Sequence, residues 1–386
     1  MERIPFNRPH LVGTEFSYVE QAIESGKLSG NGEFGARCSR WLEEQTGAVR
    51  AFLTPSCTAA LEMSTILAGI GEGDEVIMPS YTFVSTATAV AMRGGTPVFV
   101  DVREDTLNID ERAIEAAVTD RTKAITVVHY AGVGCEMEAI EEVTGRHDLT
   151  LIEDAAPGLL SAVQDRPLGG IGRLGALSFH ETKNVHSGEG GALLVNDPDL
   201  VEAAEVIQEK GTNRQRFFRG EVDRYTWEDL GSSYLLSEIG AAFLWAQLQE
   251  AERLTERRLE IWRRYDEAFA ETEENGLARR PVVPPGRRHN GHTYYLLLSN
   301  RDARDAFIAD LGERGILAVF HYVPLHSSPG GRRFGRVAGD LPVTDSVSER
   351  IVRLPLWVDM TDEQIERVIE ASLEALKRSA ASPAPR

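Results

Sequence analysis

Compact apolar runs closed by turns alternate with stretches of helical period along the first half of the chain. Strands are predicted over residues 49–53, 75–78, 98–102, 124–130, 149–154, 174–179 and 192–195, each an apolar or β-branched run bounded by Gly, Pro or small polar residues. Helices are predicted over 13–25, 35–46, from the small-residue turn at 54–58 to about 68, up to Arg93, and over 110–118, 137–146 and 199–210. Thr14 and Asp110 are the expected caps, and Gly26 the expected stop, because short oxygen side chains start helices and glycine ends them. Repeated βα units of this kind imply a mostly parallel sheet between two layers of helices.

From 235 to 271 the apolar positions keep a helical period, as in Leu236, Ile239, Phe243 and Leu244, and this stretch links to a second unit. Residues 276–292, rich in Pro, Gly and Arg, read as its exposed entry. There a strand (294–298), a helix (304–314), a strand (317–322) and a last helix (362–377) are predicted, with 378–386 as a frayed tail. The fold class is therefore α/β. Domains are expected at 1–250 and 251–386, with no internal repeat.

Composition narrows the partners. With 41 basic and 60 acidic residues in 386, the net charge of −19 repels nucleic acid and anionic membrane from most of the surface. No run has the length of a transmembrane helix and the first residues lack a signal-peptide core, so the expected compartment is the cytoplasm. Cys38, Cys57 and Cys135 are widely spaced and odd in number, which argues for reduced thiols and against a disulfide framework or a bound metal. An anionic ligand needs a local basic patch. Arg214, Arg216 and Arg219, or Arg332 and Arg333, could supply one, although such loops equally serve dimer contacts or simply solvate. The glycine-rich loop 26–32 suits a backbone closing over a ligand and an ordinary turn alike.

The chemistry centres on Lys183. It follows the apolar run 174–179 and precedes Gly188, Gly190 and Gly191, so its amine is delivered from a sheet end into a tight loop. Asp154 closes the strand 149–154, and the carboxyl ends of such strands face the ligand crevice. A lysine and an aspartate in one cleft meet the needs of pyridoxal 5′-phosphate: an amine for the Schiff base and an anion for the pyridinium nitrogen. Ser178 could hydrogen-bond the phosphate. The run Ser56-Cys57-Thr58 opens a helix whose first amides suit a phosphate, although Ser56 or Thr58 as a plain cap is the commoner use of such residues. Phe83, with Tyr81 behind it, is the aromatic that could lie on a heterocycle.

The runs PSCTAALEM, EVIMPSYTFVST, IEDAA, SFHETKN, GEGGA, GTNR and HYVPLH, in this order, resemble the DegT-type nucleotide-sugar aminotransferases over residues 4–375. The stretch 210–238 is most similar to the TDP-4-keto-6-deoxyglucose 4-aminotransferases of cell-surface antigen and antibiotic amino-sugar pathways. The resemblance implies an aspartate-aminotransferase-like fold of PLP fold type I, with a large domain and a smaller C-terminal α/β domain, working as a homodimer with shared active sites. It implies Lys183 as the Schiff-base lysine and Asp154 as the pyridinium partner. Ser56, Cys57, Thr58, Ser178 and Ser233 stand near the phosphate, and Phe83 at the ring. Substrate-facing candidates are His321, Tyr322 and His326, with Tyr81, Arg214 and Arg219. The implied reaction takes an amino group from L-glutamate to carbon 4 of TDP-4-keto-6-deoxy-D-glucose, and transfer at C3, to a cyclitol ketone, or a non-catalytic regulatory role are the alternatives. Two departures stand out. Pro157 occupies a place where many relatives carry Gln or His, and Ser232-Ser233-Tyr234 replaces a Tyr-Asn-Tyr whose Asn reaches the phosphate across the dimer.

Overall fold

The computed structural model describes residues 2–381, with the side chains of 379–381 excepted. The strands are β1 (Arg50–Thr54), β2 (Glu75–Pro79), β3 (Thr96–Val100), β4 (Thr122–Val128), β5 (Thr150–Asp154), β6 (Ala162–Val163), β7 (Arg166–Pro167), β8 (Leu174–Ser178), β9 (Gly191–Val195), β10 (Arg287–Arg288), β11 (Tyr294–Leu297), β12 (Arg336–Val337) and β13 (Ile351–Leu354). The helices are α1 (Glu15–Glu24), α2 (Glu33–Thr46), α3 (Cys57–Leu67), α4 (Val84–Ala91), α5 (Glu111–Ala117), α6 (Met137–His147), α7 (Val201–Gln208) and α8 (Arg214–Phe218). They continue with α9 (Glu238–Gln249), α10 (Ala251–Ala268), α11 (Ala270–Glu274), α12 (Arg301–Glu313), α13 (Pro329–Phe334), α14 (Pro342–Arg350) and α15 (Asp362–Ala381).

The main sheet has the order β1-β9-β8-β5-β4-β2-β3-β12. Only β9 runs against its neighbours, so the sheet is mostly parallel, as the βα alternation predicts. Apart from the edge strand β12, its strands are largely buried on both faces, and the two faces divide by alternate residues. Ile77, Val98, Val100, Ile125, Val127 and Leu177 pack into one core. Val76, Met78, Phe99, Ala124, Ile152 and Ala176 pack into the other, the period of two that a pleated strand imposes. A further core joins Ile4 to Trp262, Tyr265, Tyr294, Phe307, Leu354 and Ile365. Among the described residues no helix is long and apolar enough to cross a membrane.

Several boundaries shift for reasons that are tertiary. Helix α2 starts at Glu33, two residues early, because Glu238 accepts the amides of Gly32, Phe34 and Gly35. Thr14 makes no cap bond; the Glu15 carboxylate takes the Val12 and Gly13 amides instead. The stretch 235–271 is broken at Glu250 and Phe269 into three helices. The predicted strand 317–322 is absent. It pairs only where Val319 bridges Arg353, and then turns with Tyr322 at φ 49°, a left-handed conformation that no strand continues through. The last helix runs on to Ala381 where a frayed tail is predicted, and 382–386 lie outside the described residues.

Candidate active site

The registers of the sheet bring the site together. Thr54 and Ser178 both face Gly191 across β9, and Asp154 stands two strands from β9, opposite Ala176. The chain leaves β1 through Ser56, whose Oγ accepts the Ala59 amide at 3.1 Å and caps α3. The cap also lets the start of α3 lie against β9. A Cβ on Gly191 would sit 2.4 Å from the Cys57 nitrogen, so only glycine admits the helix there.

These residues line one cavity of about 690 Å³. It holds Ser56, Cys57, Thr58, Phe83, Asp154, Ser178, Lys183, His321 and Tyr322. The amides of Cys57 and Thr58 belong to the first turn, where a helix cannot pair its own donors and carries a positive dipole end. The Thr58 hydroxyl lies 2.7 Å from that of Ser85, at the start of α4. Phe83 caps the same helix and is 56% exposed, an open aromatic face on the cavity wall.

Asp154 is buried, its Oδ2 accepting from the Thr86 hydroxyl at 2.8 Å and its Oδ1 from the Ala156 amide at 3.2 Å. Burial pushes its carboxyl above the ordinary range, and those two donors, with Lys183 and His129, pull it part of the way back. A buried carboxylate of this kind needs a cationic partner. Its neighbour Glu153 points to the opposite face of β5, where it takes the amides of Gly169, Ile171 and Gly172 and bonds His129 at 2.9 Å. The first of these carboxylates therefore serves the cavity and the second the scaffold.

Lys183 projects from the loop between β8 and β9. That loop is tied by Phe179 N to Gly190 O, Glu181 N to Gly188 O and Lys183 N to His180 O. Burial pushes the amine below its ordinary value, although Cys57 and Asp154 act to raise it and Arg353 to lower it further. A less basic amine gives up its proton more readily and is the better placed to attack a carbonyl. An amine, an anion, a helix N-terminus flanked by three hydroxyls and an open aromatic face together fit pyridoxal phosphate.

Other predicted residues fall elsewhere. Tyr81 is 1% exposed and lies behind the wall, its hydroxyl donating to the His321 carbonyl at 2.6 Å, so it supports the substrate face without reaching it. His326 is outside the cavity, held by Ser80 at 2.7 Å and Asp345 at 3.3 Å. Arg214 pairs with Glu209 and lies over Phe218, while Arg219 pairs with Glu205 and Glu221. Neither lines the cavity, and Ser233, bridged to Glu209, is exposed and also outside it. These three belong to an arm that their own chain does not fold onto the site.

The structure adds residues that pattern reading missed. Thr86 and Ser85 lie among the small residues of α4 and carry no signal in sequence. Arg353 does: it is a charge in an otherwise apolar strand. Its Nε is buried without a partner, its Nη2 donates to the Phe320 carbonyl at 3.2 Å, and among the described residues no carboxylate pairs with it. Burial lowers its guanidinium, with the Tyr130, Tyr322 and Tyr81 hydroxyls opposing. His292 and His321 beside it are pushed well below the ordinary histidine value by burial first and then by neighbouring cations. They are therefore neutral at physiological pH. Arg258, brought down to about 9 by burial, donates to the carbonyls of Gly291 and His292 and fixes the 290–293 loop.

Comparison with known proteins agrees with this assembly. The sequence profile of the DegT/DnrJ/EryC1/StrS aminotransferase family matches residues 9–372. The chain is 36% identical over 382 residues to the spore coat polysaccharide biosynthesis protein SpsC of Bacillus subtilis, covering 97% of each. Among solved structures, the aminotransferase TlmJ from Streptoalloteichus hindustanus is similar at TM-score 0.89 and 30% identity, over 98% of this chain and 100% of that one. DesV of S. venezuelae, solved with a ketimine intermediate, is similar at TM-score 0.89 and 29% identity over the same shares.

Proposed function

The chain belongs to the DegT/DnrJ/EryC1/StrS aminotransferase family and is a pyridoxal-phosphate-dependent sugar aminotransferase of fold type I, and we propose that it moves an amino group from L-glutamate to carbon 4 of TDP-4-keto-6-deoxyglucose. The observation that carries the reading is the convergence of Lys183 and Asp154 in the cavity that also opens on the start of α3.

The cofactor supplies an electron sink beside the carbon that bears the nitrogen. The protein does the rest. Lys183 is the amine that would carry the cofactor and, once displaced, would hold and return the proton that moves between donor and acceptor carbons. Its lowered basicity suits both tasks. Asp154, oriented by Thr86 and Ala156, keeps a negative charge where the pyridinium needs one. The amides of Cys57 and Thr58 and the hydroxyls of Thr58, Ser85 and Ser178 would bind the phosphate. Phe83 offers the flat face for the ring, and Pro157 lines the cavity without a side-chain donor.

Glutamate as donor is supported by Arg353. Arg353 is a half-buried guanidinium whose buried Nε has no partner and which no carboxylate of the described residues neutralises; such a cation favours an anion, and a donor carboxylate is one bond from the carbon whose amine is transferred. The diphosphate of a nucleotide sugar, attached at the far side of the hexose, lies too many bonds from C4 to meet the same group. A saccharide acceptor is supported by the likeness to a polysaccharide biosynthesis protein. A homodimer with shared sites is supported by the arm that carries Arg214, Arg219 and Ser233, because its Phe218, Tyr225 and Trp227 are more than half exposed and a second copy would cover them.

Incubation with ¹⁵N-glutamate and TDP-4-keto-6-deoxyglucose, followed by NMR of the sugar, tests the reading. Label bonded to C4 is expected, and Lys183→Ala abolishes it. Label at C3, or none on any sugar while glutamate is consumed, would reject the acceptor.

A further inference from the structure

Residues 4–10 form a strap that joins the C-terminal core to the Lys183 loop. On one side Ile4 exchanges backbone bonds with Gly315 and Leu317 at 2.8 and 3.0 Å, Leu356 N donates to the Phe6 carbonyl, and His10 Nδ1 meets Asp359 at 2.7 Å. On the other, Asn7 donates to the Glu181 carbonyl at 3.4 Å, and His186 Nε2 bonds the His10 carbonyl at 2.9 Å. The middle of the strap delivers Phe6 into the cavity wall, where the Arg353 guanidinium carbon lies 4.7 Å from its ring centre.

We propose that Phe6 is the positioning residue that presents Arg353 to the carboxylate of the amino-acid donor. The inference rests on the donor reading above. Three constraints act on Arg353. Its backbone is clamped to Val319 at 2.7 Å and 3.1 Å, its Nη2 is tied to the Phe320 carbonyl, and one face is covered by the Phe6 ring. The Nε stays without a partner.

A flat aromatic ring holds a cation by its quadrupole and leaves the charge unneutralised. An acidic residue in its place would pair with Arg353 and compete with the ligand. Because the strap is bonded to the C-terminal core and to the Lys183 loop, the ring stays against the guanidinium even when no substrate is bound, which lowers the ordering cost of binding.

The test is the first half-reaction, followed by absorbance of the holoenzyme as glutamate is varied, so that no sugar is needed. Phe6→Leu, which keeps apolar bulk without the ring face, is expected to raise the half-saturating glutamate concentration about 3- to 10-fold while the limiting rate is unchanged. Phe6→Tyr restores the parent value. Calorimetric binding of glutarate, a dicarboxylate with no amine to transfer, weakens by the same factor in Phe6→Leu. In an Arg353→Gln background, which removes the cation, Phe6→Leu adds nothing further, since the pair acts as a unit. An unchanged half-saturation in Phe6→Leu, a loss confined to the limiting rate, Phe6→Tyr behaving like Phe6→Leu, or an equal cost in both backgrounds overturns the proposal. A parent enzyme that does not respond to glutamate at all would instead reject the donor, before any variant is compared.

Discussion

Gly191→Ala probes the seat of the cofactor phosphate from the side of the scaffold. The added Cβ would lie 2.4 Å from both the Cys57 nitrogen and the Ser56 carbonyl carbon, where ordinary contact begins at 3.4 Å. The difference, 3.4 − 2.4, requires the start of α3 to retreat from β9 by about 1 Å. Both clashing atoms are backbone, so no side chain can swing away. Overpacking of this kind costs about 1–3 kcal/mol, and here the displacement falls on the amides of Cys57 and Thr58. We expect the dissociation constant for pyridoxal phosphate to rise about ten- to a hundredfold. Gly188→Ala is the control: it sits at φ +78° but would meet nothing within 4 Å, so it costs left-handed strain of about 1–2 kcal/mol without touching α3. Titration of the cofactor-free protein with pyridoxal phosphate, alongside thermal melting, separates the two. Cofactor affinity unchanged in Gly191→Ala, or lost equally in Gly188→Ala, would refute the geometry.

Other outcomes follow from the charges. Asp154→Asn keeps an acceptor for Thr86 and removes a buried carboxylate whose pKa is raised by burial; ionising that group costs stability as pH rises from the ordinary 3.8 up to its raised folded value. The cofactor-free variant should melt higher than the parent at neutral pH while losing transamination, and a lower melting temperature would contradict this. Lys183 has its amine below the ordinary 10.5, so the rate at which the cofactor-free protein takes up pyridoxal phosphate should rise with pH to a midpoint under that value; a midpoint at or above it would deny the burial effect. Glu75 is held at about 2 by Arg336, with Thr119 and Arg121 helping against burial. Its contribution is present above the unfolded value of about 4.5 and is lost as pH falls toward 2. Glu75→Gln should cost about 1–3 kcal/mol by denaturant unfolding at neutral pH, after allowance for the exposed arginines, and a smaller part of that near pH 3. Equal losses at both pH values would refute the pairing.

The parts of the site that were legible in sequence are those set by local pattern. An apolar run ending in Asp154, a capped helix opening at Ser56, and a lysine followed by glycines each fix their own geometry, and the sheet then aligns them. What was not legible depends on distant chain. The pattern of 317–322 predicts a strand, and the resemblance places His321, Tyr322 and His326 together at the substrate, whereas Tyr322 at φ 49° turns the chain so that His326 goes to Ser80. Nothing local marks Thr86 as the partner of Asp154, 68 residues on. Arg353 became meaningful only when β13 brought it beside Val319 and the strap laid Phe6 across it. Arg214 and Arg219 form a basic run in sequence, but in the fold each is neutralised by a glutamate.

The most direct test of the account is the near-visible absorption of the purified protein loaded with pyridoxal phosphate, read as glutamate and then TDP-4-keto-6-deoxyglucose is added. The account predicts a band that glutamate removes and the keto sugar restores, in the parent and not in Lys183→Ala. A band that glutamate leaves unchanged, or no band at all after loading, would contradict the assignment of Lys183 and of the cavity around it.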